Sequence, residues 1–248
     1  MLIDPQSSAR LVDARLALHW AAQLPAAAGA ARLPAADDWS HTALTWRDGS
    51  LHSAVLDTEV ALEVEPFSLR CGADHLPLAG RTMAQALGWL GERLELGLHL
   101  LPHELPEHPV ADGAPFADPD PVHLSAIATW YALADSVVRE LVQGREGASP
   151  VRCWPHHFDL ASLIDRGEGR TVGVGMSPGD GSYPWPYFYV TPWPYPPADQ
   201  LSPLSRGARW HTEGWTGAVL SGPDVPQEGQ RQAILAAVRE PLEACLAT

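Results

Sequence analysis

The sequence predicts an α+β fold, an antiparallel sheet of about eight strands with four main helices, and three observations carry that expectation. Four segments place apolar residues at helical spacing. Alternating, β-branched and aromatic runs bounded by Gly, Pro and Asp fall between them. The coarse order of helix, about four strands and helix occurs twice. That order suggests two similar α-β4-α halves, 1–110 and 118–248, in one domain covering 1–248, with no residue-level repeat beneath it.

From Ser8 to about Leu24, Leu11, Ala14, Leu18 and Ala22 recur at helical spacing, and Pro25 is expected to end this amphipathic helix. An Ala- and Pro-rich linker leads to "HTALTWRDGSLHSAVLD", where Asp48-Gly49 between two strand-like runs reads as a hairpin turn. In "TEVALEVEPFSLRC", Val60, Leu62 and Val64 oppose Glu59, Glu63 and Glu65, so one face of this sheet should meet water. Met83, Leu87, Leu90 and Leu94 form a second helix with Thr82 as N-cap and Gly97 just past its end. Residues 98–120 have no period and read as a long surface loop or a connection between halves.

Asp120-Pro121 opens the clearest helix, with Ile127, Trp130, Tyr131, Ala134, Val137, Val138 and Leu141 at i, i+3, i+4 and Gly144 at its close. A strand through "VRCWPHHFDLASLI" follows, then a turn at Asp165 to Arg170, a strand at "TVGVGM", a turn at "SPGDGSYP", and strands at "YFYVTPW" and "GWTGAVL". The last helix begins near Gln227, is apolar at Ile234, Leu235, Val238, Leu242 and Leu246, and should bend or split at Pro241.

Composition narrows the function classes. With 46% hydrophobic and 19% charged residues the chain is globular, and its net charge of −14 argues against nonspecific binding to nucleic acid or an anionic membrane. A cationic or neutral small molecule is easier to accept. The start, "MLIDPQSSAR", carries no basic-then-apolar leader, and no apolar run reaches spanning length. Cys71, Cys153 and Cys245 are odd in number and far apart, so reduced thiols in a cytoplasmic protein are expected.

Several segments resemble a bacterial family of uncharacterised proteins catalogued as a domain of unknown function: "LHWAAQLPAAAGAARLP", "WSHTALTWRDGSLH", "LEVEPFSLRC" and above all "SPVRCWPHHFDLA". The resemblance covers roughly Leu16 to Ala161, and the remainder more weakly. Members of that family carry a His where this chain has Arg152 and a small pair where it has His156-His157, while Phe158-Asp159-Leu160 matches. The family implies no mechanism.

"WPHHFD" is the first candidate site. In an extended strand His157 and Asp159 share a face with Cys153, and His156 shares the other with Trp154 and Phe158; only a bulge, eased by Pro155, would let both imidazoles meet one ion. His157 and Asp159 are the candidate catalytic pair, because a carboxylate fixes an imidazole tautomer and raises its basicity in a metal second shell or a general-base dyad. The competing structural reading has His157 bonding across the sheet, Asp159 capping a turn and His156 satisfied in the core.

In "RWHTEGW" His211 and Glu213 share a face beside Trp210 and Trp215. Paired with the "WPHHFD" strand, they would complete a metal set of His157, Asp159, His211 and Glu213, with His156 as a further candidate, suited to Zn, Mn or non-haem Fe. Otherwise they are the polar end of a strand. Pro102 and Pro106 deny the loop histidines His99, His103 and His108 any helical pairing, so they read as surface. "GVGMSPGDG" has neither the glycine register nor the following helix of a phosphate loop and reads as a turn.

The stretch "SYPWPYFYVTPWPYPP" exposes aromatics among prolines. Trp185, Tyr187 and Trp193, with Trp154, are the candidate ligand-binding residues, with Tyr195 beside them, forming either a stacking wall or a brace packed over the sheet. No GxSxG elbow occurs. Two functions therefore compete: a metal-assisted, hydrolase-like enzyme acting on a small organic substrate, and a non-catalytic binding module with an aromatic, acidic pocket.

Overall fold

Helix α1 (Pro5–Arg32) runs through Pro25 instead of ending there. Proline costs about 3 kcal/mol inside a helix. The residues that follow offset that cost, because Ala26, Ala27 and Ala28 are strong helix formers and are buried. The computed structural model describes residues 5–54 and 57–247, with the side chains of 5–8 left aside. Val55 and Leu56, in the expected strand-like run, and Met1–Asp4, at the expected leaderless start, lie outside the described residues.

Among the described residues the fold is α+β, with four α-helices and eleven strands in two antiparallel sheets of five and six strands. This corrects the expectation of about eight strands in one sheet. The order of helix, strands and helix does recur, but with five strands in the first run and six in the second. Part of the excess comes from breaks within "TEVALEVEPFSLRC" and "VRCWPHHFDLASLI", and part from the short strands Asp74–Pro77 and Arg209–His211, which lie outside the runs counted as strands. No helix among the described residues is long and apolar enough to cross a membrane.

The chain divides into two compact units, the first running to Ala132 and including Arg152–Phe158, the second comprising Leu133–Val151 and the chain from Asp159 onward. The division falls inside helix α3 (Pro121–Val142).

In the first unit β1 (Thr45–Arg47) and β2 (Ser50–His52) close on Asp48-Gly49, both at positive φ as a tight hairpin requires. β3 (Val60–Glu63) and β4 (Ser68–Cys71) are separated by a turn containing Pro66, and β5 (Asp74–Pro77) completes the meander in the order β1-β2-β3-β4-β5. The outer face carries ion pairs: Arg70 meets Glu59 at 2.7 Å and Glu63 at 3.2 Å, and His75 meets Glu63 at 3.0 Å. Alternation had placed these acids on the wet face.

Helix α2 (Met83–Leu94) has Thr82 as its N-cap in a full capping box with Gln85, whereas the left-handed cap residue is Glu95 rather than Gly97. β6 (Arg152–Trp154) is held by Leu44, whose N–H donates to Cys153 at 2.8 Å and whose carbonyl accepts from Cys153 at 2.7 Å.

In the second unit β7 (Asp159–Asp165), β8 (Thr171–Ser177), β9 (Tyr187–Trp193), β10 (Arg209–His211) and β11 (Gly217–Ser221) lie in the order β10-β11-β9-β8-β7. Phe188, Val190, Val172, Val174 and Val219 are buried. Helix α4 (Gln230–Ala247) packs on β8, β9 and β11 and continues through Pro241 without a split. Leu242 and Val238 beside the proline are buried, so packing holds a turn whose ladder bond is missing.

Candidate ligand-binding site

"WPHHFD" is not an extended strand. After β6 the chain turns at residues 155–158, with Trp154 O accepting from His157 N at 3.1 Å and Phe158 N at 2.7 Å, and Phe158 takes a left-handed φ of 54°. The expectation that His157 and Asp159 share a strand face is therefore corrected: alternation needs extended backbone, and the buried anchors of this segment favour a turn. His19 Nε2 donates to Pro155 O at 2.9 Å, Gln23 Nε2 donates to the same carbonyl at 2.7 Å, and the Tyr131 hydroxyl donates to Phe158 O at 2.6 Å. The His19 ring lies parallel to Phe158, with centroids 5.2 Å apart.

The turn brings the imidazoles of His156 and His157 to 4.2 Å, and the 98–120 segment delivers His103 to 5.0 Å from His156. His103 had read as an ordinary surface residue. Trp39 meets His103 edge-on at 5.0 Å, and half-buried Trp154 meets His156 edge-on at 6.2 Å. Burial pushes the imidazoles of His19 and His156 down to about 4 and also lowers His103; nearby imidazoles add to the effect on His156. These are neutral rings at ordinary pH. His103 Nε2 and His156 Nδ1 are buried with no hydrogen-bond partner among the described residues, while His157 is exposed.

In the second unit a different constellation forms, on the sheet face that carries the odd-numbered residues of β7, β8 and β9. Tyr189 lies opposite Gly175, and Gly175 lies opposite Ala161. A Cβ at residue 175 would come within 2.7 Å of Ala161 Cβ, Leu160 O and the Tyr189 hydroxyl. Glycine thus opens the path by which the Tyr189 hydroxyl crosses β8 and donates to Asp159 Oδ2. Asp159 is 8% exposed. Burial, followed by this carboxylate, holds the Tyr189 phenol well above its ordinary range, so it stays a donor.

Gly217 plays the same part on β11, where a Cβ would collide with the Trp215 ring. Trp215 stands edge-on to Tyr189 at 6.5 Å and lies 4.5 Å from His211, which faces Tyr183 at 5.6 Å; Tyr183 in turn meets Tyr187 at 4.8 Å. His211 Nε2 donates to Glu213 O at 2.7 Å, which fixes the tautomer and leaves Nδ1 to accept from the Tyr183 hydroxyl at 3.0 Å. Tyr187 is 5% exposed, and its hydroxyl donates to Asp180 Oδ2 at 2.6 Å. Burial and that bond raise its phenol. Asp180 Oδ1 also accepts from Ser182 N and Tyr183 N, which locks the expected turn.

The residues expected from sequence thus separate. Asp159 and His211 join one cluster, linked through Tyr189 and Trp215. His211 lies on β10, which pairs with β11 and not with the "WPHHFD" segment, and its lone-pair nitrogen is taken by Tyr183. Glu213 is exposed and contributes its backbone carbonyl. His156 and His157 belong to the turn in the first unit. Among the described residues no group of three or more His, Cys, Asp or Glu side chains is arranged to hold a metal ion.

Of the aromatics, Tyr187 is buried in the cluster, Trp185 is half-buried, and Trp193 is 55% exposed at the far end of β9. Tyr183, Tyr189, Gly175 and Gly217 were missed. The signal was present: "YFY" puts Tyr187 and Tyr189 on one face, and "GVG" alternates glycines at the same period. No protein-family model, curated protein or solved structure matches the chain.

Proposed function

We propose that the chain is a non-catalytic binding module that takes a small organic cation on the tyrosine face of its second unit. The observation that supports this most is the Tyr189 hydroxyl reaching over Gly175 to buried Asp159, with half-buried Trp215, His211 and Tyr183 beside it. Aromatic faces attract cations through their quadrupoles, and a buried carboxylate supplies the compensating charge. Arg209 already holds its guanidinium 5.8 Å from the Tyr183 ring centre, so one ring of this face accepts a cation within the fold. The net charge of −14 favours the same class of ligand and disfavours nucleic acid.

A metal-assisted hydrolase using His157, Asp159, His211 and Glu213 has less support. Asp159 Oδ2 accepts from Tyr189, and neither nitrogen of His211 keeps a lone pair to offer. Membership of the bacterial family resembled by "SPVRCWPHHFDLA" and a cytoplasmic setting are part of the proposal, supported by motif and composition alone.

The test is isothermal titration with tetramethylammonium and choline. Saturable binding, weakened about tenfold or more in both Trp215→Leu and Asp159→Asn with the fold retained by circular dichroism, is the expected result, matching the loss of about 1.4 kcal/mol that one cation–π or charge contact represents. No binding of either ion to the folded wild type would overturn the proposal.

A further inference from the structure

The second unit holds another concave site at the opposite end of β9. A pocket of about 260 Å³ is lined by Arg166, Arg170, Trp193, Pro194, Tyr195 and Cys245, among others. Tyr189 is four positions from Trp193, so the pocket stands roughly 13 Å along the strand from the centre of the tyrosine cluster. It is a separate place with separate chemistry.

Each wall is positioned by backbone. The turn between β7 and β8 is closed by Arg166 N donating to Arg170 O at 2.9 Å, Arg170 N to Gly167 O at 3.0 Å, and Gly167 N to Asp165 Oδ1 at 2.8 Å. Thr171, next to Arg170, is in register with Trp193, and Arg166 and Arg170 line the same pocket as the indole. Trp193 and Tyr195 meet edge-on at 5.0 Å with an interplanar angle of 85°, and they remain 55% and 42% exposed. Pro192, Pro194 and Pro196 alternate with them and stiffen the wall. Indole and phenol faces are thus offered to solvent by a segment with little freedom to bury them.

Charge sets the ligand class. All 16 basic residues of this chain are arginines, and Arg166 enters no ion pair among the described residues. A guanidinium is planar and presents paired donors that match a carboxylate. Burial pushes the Cys245 thiol up to about 11, so it is a neutral wall at ordinary pH and does not repel an anion. Two guanidinium groups beside an open aromatic pair, in a chain of net charge −14, run against the charge of the molecule as a whole.

We propose that this pocket is a second ligand site, for a planar aromatic carboxylate whose ring stacks on Trp193 and Tyr195 and whose carboxylate is held by Arg166 and Arg170. The volume suits one or two fused rings.

The experiment is titration calorimetry with 2-naphthoate, 2-naphthalenemethanol and 2-naphthylmethylamine. The carboxylate is expected to bind at one equivalent and about tenfold or more tighter than either analogue, as expected for a charge-assisted contact. Trp193→Ala and the double variant Arg166→Gln/Arg170→Gln should each weaken naphthoate about tenfold with unchanged melting temperature. Prior saturation with tetramethylammonium should leave naphthoate binding unaltered, so failure at one site is separable from failure at the other. Equal binding of the amine and the carboxylate, undiminished binding in the variants, or no binding to the folded wild type would each overturn the proposal.

Discussion

The histidine turn of the first unit and the tyrosine face of the second treat buried polar groups in opposite ways. At the turn, His103 and His156 each bury a ring nitrogen with no partner among the described residues, and desolvation drives their affinity for protons down. On the sheet face His211 satisfies both nitrogens and Tyr189 spends its hydroxyl on Asp159. An imidazole is therefore not a metal ligand by virtue of its neighbours in sequence. What decides is whether its lone pair is already taken and whether another donor can approach it.

The strongest way to break that contrast is Gly175→Val. The new side chain meets backbone and Tyr189 together, so the second unit should lose about 3 kcal/mol of stability in urea denaturation. A loss below about 1 kcal/mol would mean that the tyrosine does not depend on the glycine gap.

Acid should act on the first unit. His19 and His156 have native values near 4, below the ordinary imidazole value of 6.5, so the unfolded chain binds protons more readily. Their contribution is fully present above pH 6.5 and is lost as pH falls toward 4, on the order of 2–3 kcal/mol for 8%-exposed His19. His19→Gln keeps a donor for Pro155 O but cannot titrate. Denaturation at pH 7, 5.5 and 4.5 should give a shallower pH slope for the variant, and identical slopes would contradict the assignment.

Tyr189→Phe removes the hydroxyl from Asp159 at an expected cost of about 1.5–2 kcal/mol, less than the glycine substitution because the ring still packs. Chemical denaturation reads this directly, and a neutral outcome would mean the bond contributes little. The smallest effect belongs to Tyr183→Phe, about 0.5–1 kcal/mol, which frees Nδ1 of His211. Nitrogen-15 NMR of the ring should then show Nδ1 losing its hydrogen bond while Nε2 keeps its proton; unchanged shifts would show that Tyr183 does not engage it.

Much of the fold was legible because its signals are local. Thr82 and Gln85 make a capping box, Asp48-Gly49 makes a hairpin and the apolar stripe of α3 is buried, each needing only neighbours within a few residues. Pro25 misled because its local cost is offset by burial of Ala26–Ala28, which a periodicity argument cannot weigh. "WPHHFD" misled for the same reason: His19 and Gln23, more than 130 residues away, hold Pro155 O and turn the segment.

By itself the sequence determined the α+β class, the N-cap of α2 and the first hairpin, the wet acidic face of the first sheet, and the alternation that puts Tyr187 and Tyr189 on one side of β9. Those features follow from side-chain period and turn chemistry, which act over a few residues. Tertiary structure alone decided the division into two sheets, the pairing of β10 with β11, the passage of Tyr189 over Gly175 to Asp159, and the meeting of His103 with His156. Such contacts join residues from 6 to 53 positions apart, where strand register and loop path set the distance and no side-chain period records it.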